Sequence, residues 1–167
     1  MKRLESKRLV LRELESSDFK DFCELIKSWN AQPGPAFDKW PDGENELKAV
    51  FAECSKNRGH GCWICLKNEN KVIGGIFFNG ETETEGWFDV GHIIHSDYQN
   101  NDIDREALFM YINHIFSTME NVKAIITNNA PNEKQNAPLY SIGFIDRNKN
   151  GGQLIIEESN WKKIIEK

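Results

Sequence analysis

The chain has 167 residues, of which 39% are hydrophobic and 28% are charged, and its formal net charge is −5 at pH 7. This size and composition predict one globular domain over residues 1–167 that can bury a core. The acidic balance argues against nucleic acid and anionic membranes as main partners, because both select a basic face. No segment approaches the ~20 apolar residues of a membrane span, and the N-terminus does not read as a signal peptide, so we expect a cytoplasmic protein.

The first part of the chain predicts a strand followed by two helices. Residues 8–12 alternate in polarity and predict a strand, and the polar residues 16–18 are typical of a helix start. Residues 29–43 contain three prolines and two glycines and predict a loop. The second helix is indicated by an apolar face made of Leu47, Val50, Phe51 and Cys54.

The middle of the chain predicts three strands and a long helix. Residues 62–67 and 72–79 predict a hairpin, and residues 87–95 predict a third strand of this group. The strongest helical pattern covers residues 104–119. Its predicted core stripe consists of Leu108, Tyr111, Ile112, Ile115 and Met119.

The last part predicts a central strand, a short helix and a hairpin. Residues 122–127 are apolar on both faces, as in a strand that is covered on both sides. A short helix ends near Gly143. Residues 144–147 and 153–158 then pair across a loop in which Asn-Gly supplies the turn. The predicted order is β-α-α-β-β-β-α-β-α-β-β.

The segment from Asp89 to Leu108 carries the clearest functional pattern. An apolar strand leads into a short polar loop, and this loop opens the long predicted helix. Free N–H groups and the positive end of the helix dipole point at such a loop, so the layout is typical of an anion site.

Four segments resemble the GCN5-related N-acetyltransferases (GNAT), especially the ribosomal-protein-alanine N-acetyltransferase branch. Each match is short, but together they keep the order and spacing of that family over nearly the whole chain. The resemblance implies an α/β (α+β) fold with a mixed central sheet of about six to seven strands flanked by helices. The matching segments are residues 8–14 with Asp18, residues 71–76, residues 89–94 with Gln99, and Asn132 with Gly143-Phe144.

The resemblance implies transfer of an acetyl or other acyl group from acetyl-CoA to a primary amine, on a protein N-terminus or a small molecule, by direct attack on the thioester. Backbone N–H groups around Ile93 and Ile94 would bind the thioester oxygen. The residues implied at the cofactor's pyrophosphate and late helix are Gln99, Asn100, Asn101, Asp102, Ile103, Asp104, Arg105 and Asn132.

Two acidic residues depart from the family pattern. The family usually has Gly or Ala at the positions of Asp102 and Asp104. A carboxylate within ~4 Å of a diphosphate costs on the order of 1 to 4 kcal/mol, which Arg105 could partly offset. Acidic residues also cap a helix start well. The alternative is therefore a non-catalytic binding module of the same fold with a degenerate cofactor loop.

Three residues are the catalytic candidates implied by the resemblance. Asp89 is placed where the family often has an acid, and an ordinary strand-end carboxylate is the alternative. His95 and His92 flank the expected bulge on opposite faces, so at most one faces a cleft. Tyr140 is the candidate acid for the departing thiolate, although it lies one residue after the family's tyrosine position, which is Leu139 here.

Aromatic residues of the 29–43 loop are the candidate acceptor-binding residues. The resemblance places Trp29, Phe37 and Trp40 at the acceptor site, and the alternative is a hydrophobic plug over the core. The oligomeric state stays open, and exposed strand edges leave room for a homodimer.

Cys62 and Cys65 have the spacing of a redox or zinc pair. They lie in a predicted strand, however, where residues three apart point to opposite faces, and no second pair completes a zinc set. Buried free thiols are the favoured interpretation, so we predict no metal.

Overall fold

The computed structural model describes residues 3–56, 59–99, 102–130, 133–148 and 152–166. Short 3₁₀ turns occur at Ser16–Asp18, Ala36–Asp38 and Ser96–Tyr98. The strands and helices are, in chain order, β1 (Leu4–Glu5), β2 (Leu9–Arg12), α1 (Phe19–Asn30), α2 (Glu44–Lys56), β3 (Cys62–Leu66), β4 (Lys71–Glu81), β5 (Trp87–Ile94), α3 (Ile103–Thr118), β6 (Ala124–Asn128), α4 (Glu133–Ser141), β7 (Ile145–Asp146), β8 (Gln153–Glu157) and α5 (Glu158–Ile165).

The strand order of the sheet is β1-β2-β3-β4-β5-β6-β8-β7. β5 pairs with β6 in parallel, whereas the other registers described are antiparallel. The predicted α/β class with a mixed sheet and flanking helices is therefore confirmed. The described residues form a sheet of eight strands rather than the six to seven predicted.

Two elements were not predicted from the sequence. β1 has two residues, which is too short to show an alternating pattern, and it pairs with β2 through Leu4 and Leu11. α5 begins where the last predicted strand was expected to end. It is held by Trp161, which is buried against the rings of Phe109 and Phe116.

The chain forms two compact units, which divide β4 and β5 between them. The first unit comprises Met1–Phe77 with His92–Gln99, and the second comprises Phe78–Gly91 with Asn100–Lys167. The 1–167 single-domain expectation remains a prediction.

The core of the first unit lies between α1 and the β2-β3-β4 strands. α1 buries Phe22, Leu25 and Ile26, which follow the helical spacing of an amphipathic face. The rings of Trp63 and Trp40 pack edge-on against Phe22. These side chains belong to one continuous hydrophobic cluster of this unit.

A buried ion pair joins β2 to the start of α1. Arg12 donates from Nη1 and Nη2 to the two carboxylate oxygens of Asp18, at 2.6 and 2.9 Å. Asp18 also accepts from the N–H of Glu15, and Arg12 donates to the side chain of Asn70. The buried ion pair therefore explains the Arg12 and Asp18 positions of the opening motif.

Gly74 allows β4 to approach the end of β5 closely. A Cβ atom at Gly74 would lie 2.7 Å from the carbonyl oxygen of Ile93 and 3.0 Å from the side chain of Ile64. Any side chain there would push against backbone, so glycine is required for this contact.

The second unit packs α3, α4 and α5 with β6 and β8. α3 buries Leu108, Tyr111, Ile112 and Ile115 of the predicted stripe. Its fifth member, Met119, is instead the C-cap residue after α3 and is only partly buried, because the helix ends at Thr118. β6 and β8 pair over five residues. The Asn-Gly turn expected after β7 lies outside the described residues.

The four cysteines are free thiols. Cys62 and Cys65 are buried in β3, and burial raises the pKa of both thiols, that of Cys65 to about 12. Such thiols remain protonated and behave as small apolar groups. Within the described ranges, no cluster of His, Cys, Asp or Glu is arranged to hold a metal ion. None of the helices described there is long and apolar enough to cross a membrane.

Candidate functional site

The end of β5 extends beyond its parallel pairing with β6. The parallel register runs from Trp87 with Ala124 to Asp89 with Ile126. β5 itself continues to Ile94, so residues 90–94 lie beyond the last parallel pair. Ile93 and Ile94, whose N–H groups were predicted to bind the thioester oxygen, lie in this part of the strand.

The peptide groups at the end of β5 have a defined direction. The N–H of His95 donates to the carbonyl of Ile73 on β4, at 2.8 Å. Neighbouring residues of an extended strand direct their backbone groups to opposite sides, so the N–H and C=O of Ile94 face away from β4. The Ile94 carbonyl accepts from Nε2 of Gln32, at 3.3 Å. Of the two predicted donors, Ile94 therefore directs its N–H away from the β4 ladder.

His95 starts the 3₁₀ turn that follows β5. Its Nδ1 accepts from the N–H of Asp97, at 3.3 Å, and its ring packs edge-on against Tyr98. Because Nδ1 is the acceptor, the proton of the neutral ring is on Nε2. In this tautomer His95 can donate a hydrogen bond from Nε2, whereas donation of a proton requires the imidazolium form.

His92 has a depressed pKa. The imidazole is half-buried, and burial lowers the pKa of His92 from 6.5 to about 4. His92 is therefore neutral at physiological pH, and its weak basicity makes it a poorer general base than an ordinary histidine.

The loop after α1 is tightly braced. Nε1 of Trp29 donates to the carbonyl of Asp38, and the side chain of Asn30 forms two hydrogen bonds with the backbone of Trp40. Trp40 packs against Phe22 and Phe77.

The three candidate acceptor residues consequently have different environments. Trp29 fixes the loop, and Trp40 covers the core of the first unit. Phe37 is 82% exposed and is the one of the three that offers a free aromatic face. Of the three rings, that of Phe37 is therefore the most accessible to an apolar ligand.

Gln32 was missed by sequence analysis. Its Oε1 accepts from Nε2 of Gln99, at 2.6 Å, while its own Nε2 bonds the Ile94 carbonyl. Ser28 and Ser96 are also hydrogen-bonded, so the end of α1 and the turn after β5 meet through side chains. These two side-chain partners of Gln32, Ile94 and Gln99, are more than 60 residues away in the chain, and no local pattern reveals such a contact.

The start of α3 has the backbone conformation that glycine favours. Asp102 is the N-cap and has φ 57° and ψ 3°, in the left-handed region. Its carboxylate makes no capping hydrogen bond, and its carbonyl accepts from the N–H of Glu106. An aspartate thus takes the conformation for which Gly would be the usual choice.

Asp104 uses part of the helix N-terminus itself. The side chain is buried, and its Oδ1 accepts from the N–H of Arg105, at 2.9 Å. One of the first-turn N–H groups is therefore already bonded inside the helix. The α3 N-terminus is a reduced anion site compared with one whose first-turn N–H groups are all open.

Asp89 and Tyr140 both have hydrogen-bond partners within the second unit. Asp89 accepts from Nδ2 of Asn79, at 3.0 Å. The hydroxyl of Tyr140 donates to Asp146, at 3.1 Å. Burial and this carboxylate raise the pKa of Tyr140, so its hydroxyl is protonated at neutral pH and is a weaker proton donor than an ordinary tyrosine.

The loop between β6 and α4 is organised by Asn136, another residue that sequence analysis missed. Asn136 is buried and bonds the backbone of Ala130 in both directions and the side chain of Asn129. The predicted cofactor residues Asn100, Asn101 and Asn132 lie outside the described residues.

Comparison with a family model identifies the fold. The model of the acetyltransferase (GNAT) domain matches residues 8–145. The chain belongs to the GNAT acetyltransferase family. A search of curated proteins finds no significant match.

Solved structures resemble this GNAT chain over nearly its whole length. A GNAT-family acetyltransferase from Bacillus anthracis has a TM-score of 0.77 at 17% identity, covering 94% of this chain and 99% of that one. Ribosomal-protein-S5-alanine acetyltransferase from Vibrio fischeri has a TM-score of 0.70 at 21% identity, with coverages of 95% and 98%. A GCN5-related N-acetyltransferase from Brucella melitensis has a TM-score of 0.74 at 15% identity, with coverages of 99% and 82%. At these identities the similarity establishes the GNAT fold.

Proposed function

We propose that this GNAT chain transfers an acetyl group from acetyl-CoA to a primary amine, on a protein N-terminus or a small molecule. The proposal is supported mainly by the N–H of Ile94, which is turned away from β4. Ile94 is the last residue of β5, and this strand continues beyond its parallel pairing with β6. A backbone donor in that orientation suits an oxygen that gains negative charge during acyl transfer. The acidic composition fits an amine acceptor, and we expect the protein to act in the cytoplasm.

The residues of the α3 start fit the cofactor in backbone conformation. Asp102 takes the left-handed geometry for which the family motif has a small residue. We assign the pyrophosphate to the N–H of Ile103 and the side chain of Arg105, near the positive end of the helix. The carboxylates of Asp102 and Asp104 weaken this site, so we expect modest affinity.

The chemistry needs few protein groups, because the cofactor supplies an activated thioester. The amine nitrogen attacks the carbonyl carbon of the thioester, and the C–S bond breaks. The amine nitrogen loses a proton and the departing thiolate gains one, each exchanged with the protein or with solvent. We propose that the N–H of Ile94 stabilises the carbonyl oxygen. Asp89 serves as the base for the amine, directly or through water, and the hydroxyl of Tyr140 or the imidazolium form of His95 serves as the acid for the thiolate.

The second candidate function is binding without turnover. It is favoured by one observation, the hydrogen bond in which Asp104 occupies the N–H of Arg105. A chain of this kind would keep the fold as a binding module, with a cofactor loop too acidic for efficient use.

An acetyl-transfer assay separates the two candidates. The protein is incubated with acetyl-CoA and a panel of peptides with free N-termini and small amines, and products are identified by mass spectrometry while free thiol is followed. The enzyme hypothesis predicts one acetyl group added per thiol released, with loss of most activity in Tyr140→Phe or in His95→Gln, whichever supplies the proton. Absence of any acetylated acceptor across the panel would contradict it and favour the binding module.

A further inference from the structure

Gln32 joins the loop after α1 to two elements of the proposed site within the first unit. Its side-chain amide donates to the Ile94 carbonyl at 3.3 Å and accepts from Gln99 at 2.6 Å. Ile94 is the proposed oxyanion donor, and Gln99 begins the cofactor loop of the family motif. One side chain therefore contacts both parts of the proposed site that belong to this unit.

The backbone of Gln32 is itself fixed. Its N–H donates to the carbonyl of Trp29 at 3.0 Å, and its carbonyl accepts from Nζ of Lys39, which also bonds the carbonyl of Asn30 at 3.0 Å. Because main chain and side chain are both held, the amide has little freedom to leave its two partners.

The chemistry of the contact requires a carboxamide. A carbonyl can only accept, so the group that faces Ile94 must be the NH₂ of Gln32, and this leaves Oε1 for the NH₂ of Gln99. Leucine would remove both bonds. Glutamate would keep an acceptor for Gln99 but would place a second oxygen against the Ile94 carbonyl.

We infer that Gln32 is a positioning residue for acetyl transfer: it holds the carbonyl of Ile94, on the same residue as the proposed N–H donor and one peptide group further along, and it holds the Gln99 side chain. This inference rests on the proposed function. Through Ile94 the residue acts on the transition state, and through Gln99 it acts on cofactor binding. Loss of the Ile94 contact should therefore lower kcat, and loss of the Gln99 contact should raise KM for acetyl-CoA.

The test compares Gln32→Glu and Gln32→Leu in steady-state acetyl transfer, with Ser55→Ala as the matched control. Ser55 likewise donates one side-chain hydrogen bond to a backbone carbonyl, that of Phe51 in α2. We expect Gln32→Glu to lower kcat about tenfold with KM for acetyl-CoA changed by less than about twofold. Gln32→Leu should lower kcat similarly and also raise KM about tenfold.

Thermal unfolding without ligand shows whether each variant is folded. The inference is overturned if folded Gln32→Leu has the kcat and KM of Ser55→Ala, or if both Gln32 variants lose activity only in proportion to lost folded protein. If the wild-type protein neither binds acetyl-CoA nor transfers its acetyl group, the proposed function is wrong and the inference falls with it. The wild-type measurement thus distinguishes the two failures.

Discussion

Asp102 combines a conformation typical of glycine with a charge that opposes the proposed ligand. Its φ of 57° is tolerated because aspartate and asparagine visit the left-handed region more readily than other L-residues. The exposed carboxylate is screened by solvent, so its effect on a bound diphosphate is smaller than for a buried charge. Charge and conformation can be separated by substitution.

We predict that Asp102→Asn tightens acetyl-CoA binding about three- to tenfold, because it removes the charge and keeps the left-handed preference. Asp102→Ala also removes the charge but should lower the free energy of unfolding by roughly 1 kcal/mol through backbone strain. Isothermal titration calorimetry and urea unfolding measure the two effects. Unchanged affinity in both variants would show that the carboxylate does not face the cofactor.

His92 makes the stability of the fold depend on pH. Burial lowers its pKa from 6.5 to about 4, so between these values the unfolded chain binds a proton that the folded chain does not. The free energy of unfolding therefore rises with pH through this window, and the contribution is complete above about pH 6.5.

We predict that the wild-type protein loses about 2 kcal/mol more stability between pH 7 and pH 5 than His92→Gln, which has no proton to bind. Urea unfolding at the two pH values measures the difference. His60→Gln, at an exposed histidine, is the control and should keep the wild-type pH dependence. An equal loss of stability in His92→Gln and the wild-type protein would rule out this origin.

At the scale of elements, sequence patterns predicted the structure where a strand or helix is long and regular. The residue 104–119 helix appears as α3, and the residue 62–67 and 72–79 strands appear as β3 and β4. β1 was missed because two residues show no period. α5 has an amphipathic pattern that buries Trp161, but it begins directly after β8 at Glu158, with no turn residues to separate the two elements.

The junction of β2 and α1 depends on a buried charge pair, Arg12 with Asp18. Removing one partner leaves an uncompensated charge in the core, whereas replacing both by apolar side chains removes the need for solvation. We predict that Asp18→Asn lowers the free energy of unfolding by about 3 to 5 kcal/mol. The double variant Arg12→Met/Asp18→Leu should recover most of this loss.

Glu15→Gln is the control for this junction. Glu15 lies 3.9 Å from Nε of Arg12 with a half-exposed side chain, so its charge should contribute less than about 1 kcal/mol. Chemical denaturation measures all three proteins. If the double variant is as unstable as Asp18→Asn, the ion pair stabilises the fold by more than the neutralisation of its two charges.

At the scale of the whole molecule, family and fold could be predicted from short motifs in the correct order, and the family model over residues 8–145 supports both. Site residues could be predicted only at positions that belong to a family motif. Gln32 and Asn136 could not be found, since their roles arise from contacts made by folding. The left-handed backbone of Asp102 could not be predicted either, because an aspartate in the sequence does not indicate a positive φ as a glycine does.

We propose that the acidic cofactor loop of this chain binds acetyl-CoA. Calorimetric titration of the wild-type protein, paired with unfolding at increasing acetyl-CoA, measures this binding. We predict saturable binding at a single site and a gain of about 2.7 kcal/mol in the free energy of unfolding when the free ligand reaches about 100 times its Kd. No binding heat and no change in unfolding at millimolar acetyl-CoA would contradict the proposal.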